Sequence, residues 1–479
     1  MEGLSEYEKR RLENIRNNQK VLEALAIPLL PLETTINQGD KTKKSAPSTA
    51  KRRLANRVIT EEPAPRRVSA RLQNKATGES NKLSLSEELA MYKEISGQEE
   101  KPRPKRVLGN ITFDPENGAT DVFIDLMSSA MASKRDPTLP STNSPSGSRS
   151  YRIDGTFSVA KVVKERIYSM ALHPSCEKII VSAGSKAGGL GIWDATAAWE
   201  GTAESRSTFY FTPHSAAISN QRYHPTNSGQ LIMTSYDGVL RCLDIVKGHF
   251  SELYHAKAQE DQLIAGFDMT RDGNVLYFTD MDGALTRVDP RSGKTQSFQL
   301  HEKKAGGFSI SPADNNYCAT SSLDTSVCIW DMRMLQPFGT DMVSRFEYGR
   351  AVTSVQFHPV IRDALVSTCY DDSVRLHRGV IEPSEKAIEL RIKHNNQTGR
   401  WITPFRAIWD PKSTDEEHSH VIVGNMNRGL DLIQMHDGYM TNSLSELLTA
   451  QPAVNAIHPT LDLIVSGTGS GKCILWKPS

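Results

Sequence analysis

The chain has 479 residues, and its 57 Lys+Arg stand against 56 Asp+Glu, so a formal net charge of +1 excludes a histone-like polycation. Hydrophobic residues make up 38% and aromatic residues 7%, too little for the roughly three packed domains that the length alone suggests, unless part of the chain is repeat and part unfolded. No run of about 18 apolar residues could span a bilayer, and the charged start MEGLSEYEKRRLENIRNN lacks the apolar core of a secretory signal.

The charge is unevenly spread. Residues 1–150 hold 25 Lys+Arg and 20 Asp+Glu, whereas residues 151–479 hold 32 and 36. Residues 1–34 predict a helical segment: Leu12, Ile15, Leu22 and Leu25 recur at near-helical spacing, and Ser5 with Glu8 fits a capping box. SLSEELAMYKEI at 84–95 is a second short helix candidate. Either is a transient amphipathic helix or a partner-docking one. Residues 35–150 otherwise read as a disordered basic region and linker, because they cannot bury enough apolar surface to offset their ordering entropy. Two clusters, the first of Lys41, Lys43 and Lys44 and the second of Lys51, Arg52 and Arg53, have the pattern of a bipartite nuclear import signal. Arg66, Arg67, Arg71, Lys101, Arg103, Lys105 and Arg106 continue it. Such a tail predicts a nuclear protein and sequence-independent phosphate contact, or else a solvated spacer.

From residue 151 a unit of about 47 residues recurs. Each has an apolar strand ending in a turn, a second apolar strand, a polar turn and a closing strand. The first turns are His173-Pro174, His224-Pro225, Thr270-Arg271-Asp272-Gly273, Ser311-Pro312, His358-Pro359, Asp410-Pro411 and His458-Pro459. The strands close at Trp193-Asp194, Leu243-Asp244, Val288-Asp289, Trp330-Asp331, Leu376-His377, Leu432-Ile433 and Trp476-Lys477. This set resembles the WD40 repeat family. The resemblance implies an all-β fold over 151–479, a seven-bladed β-propeller preceded by the long basic region with its short helices. It also implies a structural hydrogen-bond network at Asp324, Ser322 and Trp330. Only Lys-Pro-Ser follow Trp476, so the last blade needs an outer strand from elsewhere, and TFSVAKVV at 156–163 is the expected donor.

Little in the propeller looks catalytic. Cys176, Cys242, Cys318, Cys328, Cys369 and Cys473 form no CxxC pair and read as free thiols of a reducing compartment. The histidines follow the repeat. GSKAGGLG and GTGSGK look like phosphate loops, but no helix is expected after either. The expectation is a non-enzymatic protein with no cofactor, metal, membrane or small-molecule substrate.

In a propeller, the loops entering each first strand and the polar turns share one face. That face collects Lys164, Arg166, Lys186, Lys303, Lys304, Arg350, Lys393, Arg400, Arg428 and Lys472, the rim a polyanion needs. The insertion IKHNNQTGRWITPFRAIWDP at 392–411 reads as a protruding hairpin with Arg400 and Trp401 near its tip, flanked by Asn395, Asn396 and Gln397. An exposed aromatic beside Arg suits a wedge at an unstacked base step. The alternative is that Trp401 packs back on a blade.

LSEYEKRRLENIRNNQ, RIYSMALHPS and HNNQTGRWITPFRAIWDP resemble the WD repeat protein 76 family, including its fungal DNA damage-binding members. That family is similar to the WD40 subunit of the UV-damaged-DNA-binding complex, which inserts an inter-blade hairpin at the position of Gly399-Arg400-Trp401. The resemblance implies binding of duplex DNA, extending to single strands, with preference for UV-damaged or distorted sites. Trp330-Asp331-Met332-Arg333 resembles the box by which WD40 receptors dock on a cullin-RING ubiquitin ligase adaptor. Trp330, Asp331 and Arg333 are therefore candidate docking residues, and a ligase substrate receptor or chromatin adaptor is the rival expectation.

Overall fold

The computed structural model describes residues 120–132, 150–201, 208–256, 262–382 and 388–479. The expected helices near 5–27 and 84–95 lie outside these residues. So do the residues assigned to nuclear import, Lys43, Lys44, Lys51, Arg52 and Arg53, together with Lys41. The described residues form seven antiparallel sheets, six of them four-stranded meanders and the last a three-stranded meander with two short strands from residues 151–161 on its outer edge. Their first strands are Ile167–Leu172, Ile218–Tyr223, Ile264–Met269, Ala305–Ile310, Val352–Phe357, Ile408–Trp409 and Pro452–Ile457. The first strand of blade 7 touches that of blade 1, which closes a ring. The chain is thus a seven-bladed propeller.

Burial explains the strand sequences. The second strands of blades 1 and 5, Ile180–Ser185 and Ala364–Cys369, are buried throughout, because neighbouring blades cover both faces. The outer strand of blade 3, Lys294–Gln299, buries only Phe298. Five of the six cysteines are buried in such strands and all six are free. Burial pushes the Cys242 thiol up to about 12, with Asp244 adding to the rise. GSKAGGLG and GTGSGK each span the turn between second and third strands of their blades.

Two segments complete the ring. Val159–Lys161 pairs antiparallel with Lys472–Pro478, matching Val159 with Ile474 and Lys161 with Lys472. Tyr151–Arg152 pairs with the same strand farther along, at Pro478 and Lys477. A 3-10 turn at Thr156–Ser158 separates them, so the closing piece is two short strands and not one. The N–H groups of Val162 and Val163 both donate to the Gly471 carbonyl, at 3.0 and 3.2 Å.

Two expectations need correction. A helix, α1 (Thr120–Ala132), lies within the stretch read as disordered. Three turns are marginal alone, but Phe123, Met127 and Ala130 fall on one face and are buried. They pack with Phe209, Phe211 and Phe250 of blades 1 and 2. The partner is remote in sequence, so local composition does not show it. The second correction concerns the blade 4 network. Trp330 Nε1 donates to Thr320 Oγ1 at 2.8 Å, and His301 bridges Thr320 (2.7 Å) and Asp324 (2.7 Å). Ser322 joins it only through the backbone, accepting the Asp324 N–H at 3.1 Å and donating to the Lys303 carbonyl at 3.2 Å. Register decides this: Trp330 lies opposite Cys318, and its indole reaches diagonally to Thr320, not two residues farther. Burial would raise the Asp324 carboxyl, but hydrogen bonds from His301 and Ser326 outweigh it and hold it at about 2.

Candidate nucleic-acid interface

The meander fixes which loops share a face. The residue after the second strand donates its N–H to the residue before the first: Lys186 to Arg166 (2.9 Å), Tyr236 to Ala217 (3.0 Å), Leu323 to Lys304 (3.0 Å) and Tyr370 to Ala351 (3.1 Å). This repeated bond ties the entering loops to the second turns in blades 1, 2, 4 and 5. All ten basic residues assigned to this face lie in those two kinds of loop or at their edges. Lys164, Lys186, Lys303, Arg350, Lys393, Arg400 and Arg428 are exposed, while Arg166, Lys304 and Lys472 are half-buried. Arg428 adopts a left-handed turn conformation, φ 65°.

Some of these residues join a continuous strip. Arg166 donates from Nη1 to the Arg400 carbonyl (2.9 Å) and from Nη2 to the Tyr168 hydroxyl (3.0 Å), over whose ring it also lies. Tyr168 meets Tyr236 edge-on at 6.2 Å. Lys304 lies 5.1 Å from the Tyr236 ring centroid and donates to its hydroxyl at 3.3 Å. At the other end, Arg400 lies 5.2 Å from the Trp401 ring centroid. Trp401 is 75% exposed, so it does not pack back on a blade. None of Arg166, Lys304 and Arg400 has a carboxylate partner among the described residues. The strip therefore alternates uncompensated cations with π faces, the two contacts a nucleic acid strand offers. Lys164, Lys303, Arg350, Lys393 and Arg428 stand around it without joining it.

The insertion differs from the hairpin expected. Residues 394–407 are irregular and are pinned at both ends. Thr403 Oγ1 donates to the Ile167 carbonyl at 2.7 Å. Asn396 is 2% exposed and donates from Nδ2 to the carbonyls of Cys369 (2.8 Å) and Ser373 (3.0 Å). Its Oδ1 meets His394 Nδ1 at 2.7 Å. Asn396 is thus an anchor and not a DNA contact, which corrects that assignment: its amide is consumed by two carbonyls of blade 5. Asn395 is exposed, with its Oδ1 accepting the Gln397 N–H at 3.1 Å. Gln397 Nε2 clamps the loop to the Tyr370 carbonyl at 2.8 Å.

The other face carries the WDxR segment. Trp330 is 2% exposed and belongs to the core network, so it cannot meet a partner directly. Arg333 folds back on Asp331 in a bidentate pair, Nη2–Oδ2 2.6 Å and Nε–Oδ1 3.0 Å. The hydrogen bond from Arg333 holds the Asp331 carboxyl below its usual range. Met334, Phe338 and Met342 follow, all exposed, Phe338 by 81%.

Sequence reasoning missed Tyr168, Tyr236 and Arg406. A signal was present for Tyr236. SYDG and CYDD place a tyrosine before the polar turn in blades 2 and 5, where the repeat register puts it on the cationic face.

A family profile described as "WD domain, G-beta repeat" matches residues 294–331, from the outer strand of blade 3 to the third strand of blade 4. The chain is 31% identical to WD repeat-containing protein 76 of Xenopus laevis, over 98% of this chain and 80% of that protein. It is 30% identical to DNA damage-binding protein CMR1 of Phaeosphaeria nodorum, over 99% and 98%. It is also 30% identical to WD repeat-containing protein 76 of Mus musculus, over 98% and 74%.

Proposed function

The chain belongs to the family of WD repeat-containing protein 76 and the fungal proteins named for binding damaged DNA, and from that premise we propose that it is a nuclear, non-enzymatic DNA-binding propeller that favours UV-damaged or distorted duplex. The observation that carries this reading is the strip from Trp401 and Arg400 through Arg166, Tyr168 and Tyr236 to Lys304. Its cations, with the exposed basic residues around it, supply affinity by releasing counterions from phosphates. Trp401 supplies selectivity. A damaged step costs less to unstack than an intact one, so an aromatic that inserts there gains more at the lesion. The basic clusters, Lys43 and Lys44 with Lys51, Arg52 and Arg53, add import and non-specific affinity.

The test is a titration of intact and UV-irradiated duplex with the wild-type chain and the Arg400→Ala/Trp401→Ala variant. The wild type prefers irradiated DNA, and the variant binds both alike. Equal preference in the two proteins would show that Trp401 is no wedge.

A second reading rests on the other face. Arg333 beside exposed Met334, Phe338 and Met342 suits a protein contact, which fits docking to a ubiquitin-ligase adaptor or a chromatin protein. Loss of partner capture in Phe338→Ser with DNA binding intact would support it.

A further inference from the structure

A cavity of about 170 Å³ lies inside the ring of first strands. Asn220, Arg222, Gly266, Gly306, Thr353 and Arg406 are among its lining residues, and none of the lining residues is acidic. The two arginines differ. Arg222 Nη1 donates to Asp268 at 2.6 Å, and that carboxylate is otherwise engaged by the N–H groups of Met269 and Ile310. Arg406 makes one hydrogen bond among the described residues, from Nη1 to Asn220 Oδ1 at 3.3 Å. No carboxylate there answers its charge.

Arg406 is half-buried, and it lines the void. Burial pulls its pKa below the ordinary range, while Tyr236 and Tyr168 pull the other way; a guanidinium keeps its proton nevertheless. A cation drawn partly out of water without a counter-ion is destabilising until an anion answers it. With one of its five N–H donors on Asn220, the guanidinium keeps four beside a cavity with no acid, a receptor for an oxyanion.

Size limits the ligand. Sites for whole small molecules measure about 300–1,000 Å³, so this cavity takes one oxyanionic group and leaves the rest of the ligand outside. Tyr168 and Tyr236, close enough to Arg406 to bear on its titration, belong to the strip on the cationic face. A base can stack there, and Arg166 and Lys304 stand beside it. An internal phosphodiester, flanked by two sugars, cannot enter a narrow cavity end-on. A terminal phosphomonoester can, and it carries about −1.5 to −2 charges.

We propose that the axial cavity is an oxyanion site in which Arg406 receives the 5′-phosphate of a DNA strand end, with the terminal nucleotide lying on Tyr168 and Tyr236. The assignment of the strand end rests on the DNA-binding reading of that face. The shared chemistry is a phosphoryl group, and a free phosphate is the competing source.

The test uses the full chain and an oligonucleotide bearing a 5′-phosphate or a 5′-hydroxyl. Wild type binds the phosphorylated strand roughly tenfold more tightly, the worth of one charge-assisted contact. Arg406→Met abolishes that preference and folds at least as well, because it removes a half-buried charge with no carboxylate partner among the described residues. Gly306→Leu abolishes it with Arg406 intact. A Cβ at Gly306 meets nothing closer than 3.7 Å, so the added side chain has room to enter the void. Both variants keep wild-type affinity for the 5′-hydroxyl strand. Equal wild-type affinity for the two strands, or a preference that survives Arg406→Met, overturns the site and leaves the DNA reading standing. Failure to bind either strand, with stabilisation by inorganic phosphate that Arg406→Met removes, overturns the strand-end assignment together with the DNA reading.

Discussion

Lys303 and Lys304 enter blade 4 side by side on the cationic face, and neither meets a carboxylate among the described residues. Replacing both by Gln removes two charges but keeps the side-chain stems, and the amide at 304 can still reach the Tyr236 hydroxyl now held at 3.3 Å. Each phosphate neutralised on B-DNA contributes a slope of about −0.9 to log K against log salt. Two lysines on two phosphates therefore account for a slope of about −1.8. Between 50 and 200 mM KCl, a fourfold change, the affinity gap between wild type and variant should narrow by about 12-fold. Fluorescence anisotropy of a labelled intact duplex across that range reads it directly. The preference for irradiated DNA should stay unchanged, since phosphate contacts carry no lesion information. Lys178→Gln/Lys247→Gln, in turns of the opposite face, should leave the slope at the wild-type value. An unchanged slope in Lys303→Gln/Lys304→Gln, or an equal fall in the control, would refute the assignment of DNA to this face.

Asn396→Ala should cost about 1–3 kcal/mol in urea unfolding, because it removes the buried hydrogen bonds to Cys369, Ser373 and His394; an unchanged midpoint would show that Asn396 anchors nothing. Deleting 151–163 should destabilise the whole propeller, since it exposes the edge of Lys472–Pro478 and removes buried Tyr151, Ala160, Val162 and Val163; urea unfolding matching that of the full chain would contradict the closure. Stability should also fall on acidification. Burial lowers His173, His358 and His458 from 6.5 to about 4 in the fold. The unfolded chain therefore binds more protons between those values, and each histidine removes about 1.4 kcal/mol per pH unit there. His358 Nδ1 accepts the N–H groups of Val360 and Ile361, which requires that nitrogen unprotonated. Melting temperatures should drop from about pH 6.5 to about pH 4.5; a flat profile would show that the turns tolerate charged histidine.

The propeller was legible because its signals are local and repeat. His-Pro turns or their equivalents, polar second turns and strands closing at or near Trp-Asp fall in register seven times, and meander topology then sorts every loop to a face without further information. What escaped is non-local. α1 has an apolar stripe that gains meaning only against Phe209 and Phe211. NNQTG reads as a turn in isolation, yet the carbonyls that claim Asn396 come from two strands of blade 5. Arg406 sits in an apolar stretch whose neighbours across the axis, Asn220 above all, lie 186 residues away. Trp401 was placed by sequence near the tip of an insertion, and its exposure follows from the pins on either side of it.

The proposed selectivity for damage requires Trp401 to enter the duplex at a distorted step. The most direct measurement places 2-aminopurine opposite a lesion and follows its fluorescence as protein binds, since unstacking relieves quenching. Wild type should give a rise at saturation. Trp401→Ala should give none at equal occupancy and should keep the wild-type melting temperature, because Trp401 is 75% exposed. The same rise from the variant, or none from the bound wild type, would contradict the wedge.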